Sequence, residues 1–179
     1  MLKEILTSNN IVESINNNMD YLLVLIPELK SIIKFPHKNP RHHLDVWNHT
    51  LYALSFSEND FEIRLCLLLH DIGKPFSYQD EEVRHFHGHA KKSSEIARII
   101  LNRLNYNEEY IEYICYLIKN HDKKICDVFI ENNYEISIKL YKIQKCDALA
   151  HHPDSLEKRK KYLSEVKNKL MLKKVNIHK

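Results

Sequence analysis

The sequence predicts an all-α protein, a single helical bundle of about seven to nine helices, and two observations support this. No segment of its 179 residues alternates apolar and polar side chains convincingly, which is the pattern of a half-buried β-strand. Apolar residues instead recur every three or four positions, which is typical of helices that bury one face. The length also suits one domain with a sizeable core.

The composition is that of a globular protein in aqueous solution, with 44% hydrophobic and 28% charged residues. There is no N-terminal apolar signal region and no stretch approaching the ~18 apolar residues of a membrane span, so we expect a cytoplasmic protein without a membrane partner. A formal net charge of +3 is too small to imply a nucleic-acid partner by itself. The cysteines lack a C-x-x-C pair and lie in apolar segments, so we interpret them as reduced packing residues. They are Cys66, Cys115, Cys126 and Cys146.

The first part of the chain is predicted to form helices that act as a scaffold. Residues 1–33 divide into two helical pieces at the polar residues 16–18. Residues 34–44 contain two prolines and are predicted to form a loop. Asp45 is then a suitable N-cap for a helix whose apolar face includes His49.

The next helix is the most apolar of the chain and delivers two polar residues at its end. It covers residues 61–70 and ends before Gly73 and a following proline. Residues 76–88 lack periodicity and form a loop long enough to carry a function. Gly73 and Gly88 are the only glycines of the chain. Both lie between His37 and His121, a region that contains nine of the twelve histidines. Because glycine permits a positive φ or a close backbone approach, we expect tight backbone there.

Four further helices follow. The first begins at His89, which lies on its apolar stripe, and the second ends at His121, which continues the stripe of its own helix. The third places Asp147 where the apolar spacing calls for a leucine, and the fourth is strongly basic. Their predicted ranges begin near residue 89 and then cover about 108–121, 135–151 and 155–172. We divide the chain into a core at 39–153, an N-terminal scaffold at 1–38 and a basic C-terminal helix at 154–179.

Six histidine and aspartate side chains are thus predicted on or at the end of the buried faces of five helices. A single histidine on an apolar face is more often hydrogen-bonded within the core, and a buried aspartate always needs a partner. One shared metal centre satisfies all six groups together. Imidazole and carboxylate ligands without thiolate favour Mn, Fe, Co, Ni or Zn. The six residues are His49, His70, Asp71, His89, His121 and Asp147.

These residues resemble the motifs of the HD-domain superfamily of metal-dependent phosphohydrolases. The similarity is closest to the HD domain of bacterial tRNA nucleotidyltransferases and to stand-alone HD proteins like it. The family is all-helical and mostly hydrolyses phosphoesters, usually of nucleotides. The matching stretches are NPRHHLDVWNHT (39–50), LLLHDIGKP (67–75), FHGH (86–89), NHD (120–122) and KCDALAHHP (145–153).

The resemblance implies roles for individual residues. It implies that His49, His70, Asp71 and Asp147 bind a first metal ion. His89 and His121 match the histidines that members with two ions add, with Asp71 bridging, so one or two ions are expected. Lys74 matches the lysine beside the substrate phosphate. The residues expected near the mouth of the site are His42, Asp45 and His87.

Two classes of function follow as hypotheses. The main one is a metal-dependent phosphohydrolase of a nucleotide-derived phosphomonoester or phosphodiester, with Asp71 and Lys74 in catalytic roles. The alternative is a metal-containing nucleotide-binding or sensor module without turnover, since a fold does not determine a function. RNA contact by the lysines of residues 158–174 and by Arg159 is a further alternative, against which we favour a solvated helix face. The Gly-Gly signature of a nucleotidyltransferase is absent from the chain, so we do not expect CCA addition.

Overall fold

The computed structural model describes residues 1–79 and 82–177. The all-α prediction is confirmed, because these residues form ten α-helices and no β-strand, with one isolated bridge between Gln79 and His85. Two short 3₁₀ helices, at Pro27–Ser31 and Lys74–Phe76, lie between the α-helices. The α-helices are α1 (Leu2–Leu6), α2 (Ile11–Asn17), α3 (Met19–Leu25), α4 (Val46–Ser55), α5 (Phe61–Leu69), α6 (His89–Arg103), α7 (Glu108–Lys119), α8 (Asp127–Asn132), α9 (Tyr134–Leu149) and α10 (Pro153–Ile177).

The helices are more finely divided than the sequence predicts. The first 33 residues form three short α-helices and a 3₁₀ turn, because Asn10 caps α2 and Asn18 separates α2 from α3. A further short helix, α8, lies in the segment between α7 and α9. Helix α10 begins at Pro153, two residues before the predicted start. The first helical position is where the missing N–H of proline costs least.

Helix α5 is the centre of the bundle. Five consecutive residues from Leu65 to Leu69 are fully buried, so α5 has no solvent face along this stretch. Helices α1, α4, α6, α7 and α9 pack around it. At its N-terminal end, the buried Arg64 donates from its guanidinium to the carbonyl oxygens of Leu6 (2.7 Å) and Ser8 (2.8 Å), which ties α5 to the N-terminal helices. Its other end delivers His70 and Asp71 to the interior.

Three local features of the sequence have the expected structural basis. Asp45 caps α4, because its carboxylate accepts a hydrogen bond from the backbone N–H of Asn48 at 2.9 Å. Gly88 precedes α6 with a φ of 78°, a left-handed conformation that favours glycine. Gly73 allows α6 to approach closely, since a Cβ built there would lie 2.4 Å from the backbone nitrogen of Ser93.

The thiols of all four cysteines are free, and three of the cysteines are buried. The packing prediction is wrong for Cys126, which is exposed just before α8 because the chain there runs over the surface. Across the described residues, no helix has both the length and the apolar character that crossing a membrane requires.

Candidate metal centre

Five helical elements bring the six predicted ligand residues into one region. His49 lies within α4, His70 and Asp71 follow α5, and Asp147 lies in the last turn of α9. Their side chains are all buried. The other two are His89, the first residue of α6, and His121, which follows α7.

Four of these side chains face one another. The Nε2 atom of His49 lies 3.0 Å from Oδ1 of Asp147, and Nε2 of His70 lies 3.2 Å from Oδ2 of Asp71. The two crossed distances, from His49 Nε2 to Asp71 Oδ2 and from His70 Nε2 to Asp147 Oδ1, are both 3.8 Å. Ligands of a first-row divalent cation lie about 2.0–2.2 Å from it, and therefore roughly 3–4 Å from one another. The four side chains have this spacing.

The remaining two histidines also lie close to Asp71. Nε2 of His89 is 3.4 Å from Asp71 Oδ1, the oxygen that does not face His70. One ligand atom each of His70, Asp71 and His121 lies within 4.8 Å of the others. One oxygen of Asp71 therefore faces His49 and His70 and the other faces His89, which is the arrangement that a bridging carboxylate needs.

Backbone carbonyl groups determine the orientation of the imidazole rings. Nδ1 of His49 lies 3.2 Å from the carbonyl oxygen of Ala150, and Nδ1 of His70 lies 2.6 Å from that of Leu67. The Nδ1 atoms of His89 and His121 lie 2.8 Å and 2.7 Å from the carbonyl oxygens three residues earlier. A carbonyl oxygen can only accept, so Nδ1 donates in each case. In the neutral ring Nε2 then carries the lone pair that faces the carboxylates, which is how protein histidines are held for a metal.

These lone pairs need a positive charge. Nε2 of His70 is buried and has no hydrogen bond of good geometry, although a carboxylate oxygen lies 3.2 Å away. Burial by itself lowers the pKa of His70, but Asp71 and Asp147 outweigh it and raise the pKa. Either a proton or a cation between the groups satisfies this arrangement. The donor set and its spacing therefore fit a divalent transition metal, without indicating which one.

Neighbouring side chains keep both carboxylates ionised. Burial favours the neutral form of Asp71, but the charges of His70 and Lys74 hold its pKa well below the usual range. Burial acts in the same sense on Asp147, where His151, His49 and Arg159 hold the pKa well below the usual range. Both residues are therefore carboxylates at neutral pH, which is the form that binds metal.

The structure places Lys74 inside the site. Its side chain is buried, and its Nζ lies 2.7 Å from Asp71 Oδ2 and 2.9 Å from Nε2 of His37. Because Nδ1 of His37 lies 2.7 Å from the carbonyl oxygen of Leu44, Nε2 of His37 accepts from Lys74. Burial and Lys74 together lower the pKa of His37 to about 2, so His37 is neutral.

The residues expected at the mouth differ in their placement. A cavity of about 380 Å³ opens beside Asp71 and is lined by His42 and His87. Asp45 does not line this cavity, because its carboxylate is engaged by the backbone and side-chain nitrogens of Asn48. The ring of His42 stacks on His37 with centroids 3.9 Å apart.

Sequence reasoning missed three residues of the site. His37 lies in the predicted loop at residues 34–44, and His151 is the last residue of the predicted helix at 135–151. In the structure His151 is buried, with Nδ1 3.6 Å from Asp147 Oδ1. Burial lowers the pKa of His151 to about 4. The guanidinium of Arg159 on α10 donates to Asp147 Oδ2 at 2.9 Å. Only His151 carries a signal in the sequence, since it lies four residues after Asp147 and thus on the same helix face.

Comparisons with known proteins identify relatives of this chain. A CC-adding tRNA nucleotidyltransferase of Thermus thermophilus is 38% identical over 106 residues, which are 55% of this chain and 24% of that protein. A multifunctional CCA protein of Shewanella denitrificans is 30% identical over 112 residues, or 60% of this chain and 27% of that protein. An A-adding tRNA nucleotidyltransferase of Deinococcus radiodurans is 35% identical over 88 residues, or 45% and 20%.

The chain spans about a quarter of the length of these curated relatives. The family described as "HD domain" matches residues 41–152, which is well over half of the chain and includes all six candidate ligand residues. The chain therefore belongs to the HD domain family.

Proposed function

We propose that this protein is a metal-dependent phosphohydrolase that acts on a nucleotide-derived phosphomonoester or phosphodiester. The observation that supports this best is the convergence of two imidazole nitrogens and two carboxylate oxygens within 3.0–3.8 Å, beside a buried lysine. His49, His70, Asp71 and Asp147 would hold the first ion, and His89 and His121 a second. Such an ion lowers the pKa of a bound water and polarises a phosphoryl oxygen.

The residues of the chain perform the other tasks. Asp71 and Asp147 supply negative charge at the centre, and the carbonyl-bound Nδ1 atoms prevent the histidine rings from turning. Lys74 donates to Nε2 of His37 and forms an ion pair with Asp71, and an ammonium has three N–H groups, so it can also donate to a phosphoryl oxygen. A fixed ammonium stabilises the charge on the transferred group without reorganising during the reaction.

The cavity beside Asp71 suits an anionic substrate. Besides candidate ligand residues, its lining includes Arg41, Lys74, Arg84 and Arg159. Phe86 also lines the cavity and lies under the Lys74 ammonium, 5.4 Å from nitrogen to ring centroid. Positive charge around a concave site attracts phosphate esters and raises their association rate.

Metal analysis and phosphoester hydrolysis with Asp71→Ala test this proposal. We expect the wild-type protein to bind one or two divalent ions and to hydrolyse at least one nucleoside phosphate, cyclic nucleotide or dinucleotide. The panel includes tRNA-derived ends, because the curated relatives are named as tRNA nucleotidyltransferases. Asp71→Ala should lose bound metal and activity while keeping its helical circular dichroism. Asp20→Asn, an exposed residue of α3, is the matched control and should behave as wild type.

Two outcomes would contradict the proposal. A wild-type protein that binds no divalent metal would remove its basis. A protein that binds metal and nucleotides but hydrolyses no phosphoester would instead be the sensor module of the alternative hypothesis.

A further inference from the structure

A second cavity, of about 450 Å³, lies between the carboxyl-terminal half of α9 and the first turns of α10. We refer to it as the helix-10 cavity. It adjoins the cavity beside Asp71, because His121, Asp122, Asp147 and Arg159 line both. Each volume lies in the range of about 300–1,000 Å³ that is common for ligand pockets. Two pockets for small molecules therefore meet at two candidate metal ligands, Asp147 and His121.

The outer wall of the helix-10 cavity lies outside the residues that match the HD domain. The HD domain match ends at residue 152, whereas α10 begins at Pro153. Tyr162 and Leu163 contribute aromatic and apolar surface to that wall. The lining contains four cationic side chains, those of Lys124, Lys158, Arg159 and Lys161, and three carboxylates, those of Asp122, Asp147 and Glu165. Since Asp147 is already paired with Arg159, the rest of the cavity has an excess of positive charge.

The lysines of the cavity are available to a ligand. In the part of the chain that the structure describes, Lys124, Lys158 and Lys161 are exposed and form no ion pair. Other lysines of α10 are engaged by acidic partners: Lys160 pairs with Glu157, Lys169 with Asp127 and Lys173 with Glu131. Among the described lysines of α10, those without an acidic partner are therefore Lys158 and Lys161, which line the cavity, and Lys167 and Lys174, which lie elsewhere on the helix.

Arg159 connects the two cavities. One nitrogen of its guanidinium donates to Asp147 Oδ2 at 2.9 Å, while 42% of the side chain is exposed. A guanidinium has five N–H groups, so most of them remain for an anion in either cavity.

Hydrogen bonds hold the wall in place before any ligand binds. The Tyr162 hydroxyl donates to Oε1 of Gln144 at 2.9 Å and accepts from the backbone N–H of Ile125 at 2.9 Å. Gln144 in turn donates to the carbonyl oxygen of Lys123 at 2.6 Å. This network joins α10 to α9 and to the segment after α7, so the cavity is preorganised and ligand binding loses less entropy.

We propose that the helix-10 cavity binds one arm of a phosphodiester substrate that carries a second phosphate, such as a 5′-phosphorylated dinucleotide. This inference rests on the proposed function. A phosphomonoester has one organic substituent and needs one pocket, whereas a phosphodiester has two and matches two pockets that meet at Asp147. Hydrolysis forms a P–O bond to the oxygen of water and breaks the P–O bond to one arm. The departing alkoxide takes a proton, so the products are a phosphomonoester and an alcohol, and no redox partner is required.

A charge reversal in the cavity tests the inference. In Lys158→Glu/Lys161→Glu we expect kcat/KM for a 5′-phosphorylated adenosine dinucleotide to fall at least about tenfold, because two attractive charges become repulsive. Hydrolysis of p-nitrophenyl phosphate, which does not reach the cavity, should change less than about twofold. Lys167→Glu/Lys174→Glu makes the same double charge reversal elsewhere on α10 and is the matched control, for which both substrates should stay within about twofold of wild type. The urea midpoint of each variant shows that it is folded.

Binding is measured in parallel, so that the inference and the proposed function fail separately. Titration calorimetry of the same dinucleotide in the presence of EDTA should show the same loss of affinity in the double variant. Unchanged dinucleotide kinetics and affinity, or equal losses for both substrates, would overturn the inference. Absence of hydrolysis of any phosphoester by the wild-type protein would instead overturn the proposed function, and the calorimetry would then decide whether the cavity binds the dinucleotide.

Discussion

Replacing Gly73 by alanine should destabilise the protein through a steric clash and displace His89. The backbone of Gly73 has φ −83° and ψ −11°, which alanine adopts without strain. A Cβ there would nevertheless lie 2.4 Å from the nitrogen of Ser93, 2.7 Å from the carbonyl oxygen of His89 and 2.9 Å from the carbonyl carbon of Lys92. All three are backbone atoms of the first turns of α6, so no side chain can rotate away.

The magnitude follows from the displacement that is needed. An ordinary van der Waals contact begins at 3.4 Å, so α6 has to move by about 1 Å at its N-terminal end. Overpacking of this kind costs about 1–3 kcal/mol, while the lower entropy of the unfolded alanine chain returns about 0.4–1 kcal/mol. We expect a net loss of roughly 1–2 kcal/mol, or about 2–8 °C in Tm for a chain of this size.

Urea denaturation followed by circular dichroism measures this loss, and Gly88→Ala is the matched comparison. Gly88 has a φ of 78°, and a Cβ added to it would have no neighbouring atom within 4 Å. Alanine at this position therefore costs only the roughly 1–2 kcal/mol of a left-handed backbone. The lower entropy of the unfolded alanine chain offsets part of that cost, as it does for Gly73→Ala. Gly73→Ala should also weaken metal binding at His89, whereas the effect of Gly88→Ala is confined to the cap of α6. A Gly73→Ala protein with wild-type stability and metal content would refute the argument.

Three further outcomes are expected. Asp60 caps α5 and pairs with Lys139 at 2.6 Å. Burial raises the pKa of Asp60, but the larger opposing effect of Lys139 and the capped N–H groups leaves the folded pKa below the unfolded one. The stabilisation by the ionised carboxylate is therefore present above about pH 4 and is lost as the pH falls through the folded pKa. Asp60→Asn keeps a capping oxygen, so we expect it to cost about 0.5–1 kcal/mol in urea titrations at pH 7 and much less at pH 3; a pH-independent difference would contradict this. Leu68→Ala, in the fully buried part of α5, should cost about 2–5 kcal/mol, and a urea midpoint close to that of wild type would show that α5 is not the centre of the core. Removal of divalent metal by EDTA should lower the Tm of the wild-type protein, since a ligand at 100 times its Kd stabilises by about 2.7 kcal/mol, and should not change the Tm of Asp71→Ala.

The sequence predicts the candidate site better than it predicts its surroundings. His49, His89, His121 and Asp147 are identified because each lies on or continues an apolar stripe, and helical periodicity determines which way a side chain points. The cap at Asp45 and the tight backbone at Gly73 follow from equally local chemistry. A position close to a matching motif predicts the place of a residue less well. Asp45 is expected at the mouth of the site, but it does not line the cavity beside Asp71.

The contacts of His37 and Arg159 do not follow from helical periodicity. His37 lies in a loop without a repeat, and its contact with Lys74 arises because residues 37 positions apart meet across the bundle. Arg159 looks like one basic residue among many in α10, and only the packing of that helix against α9 directs it to Asp147. Neither contact has a signature in the order of the residues.

By itself, then, the amino-acid order determines an all-helical chain and the identity of the inward-facing histidines and aspartates, because burial follows the 3.6-residue period of each helix. The tertiary structure alone decides which nitrogen faces which oxygen, that Lys74 lies against Asp71, and that α10 closes a second cavity beside Asp147. The physical reason is that periodicity sets the direction of a side chain from its own helix, whereas the distances between helices depend on how the whole core packs.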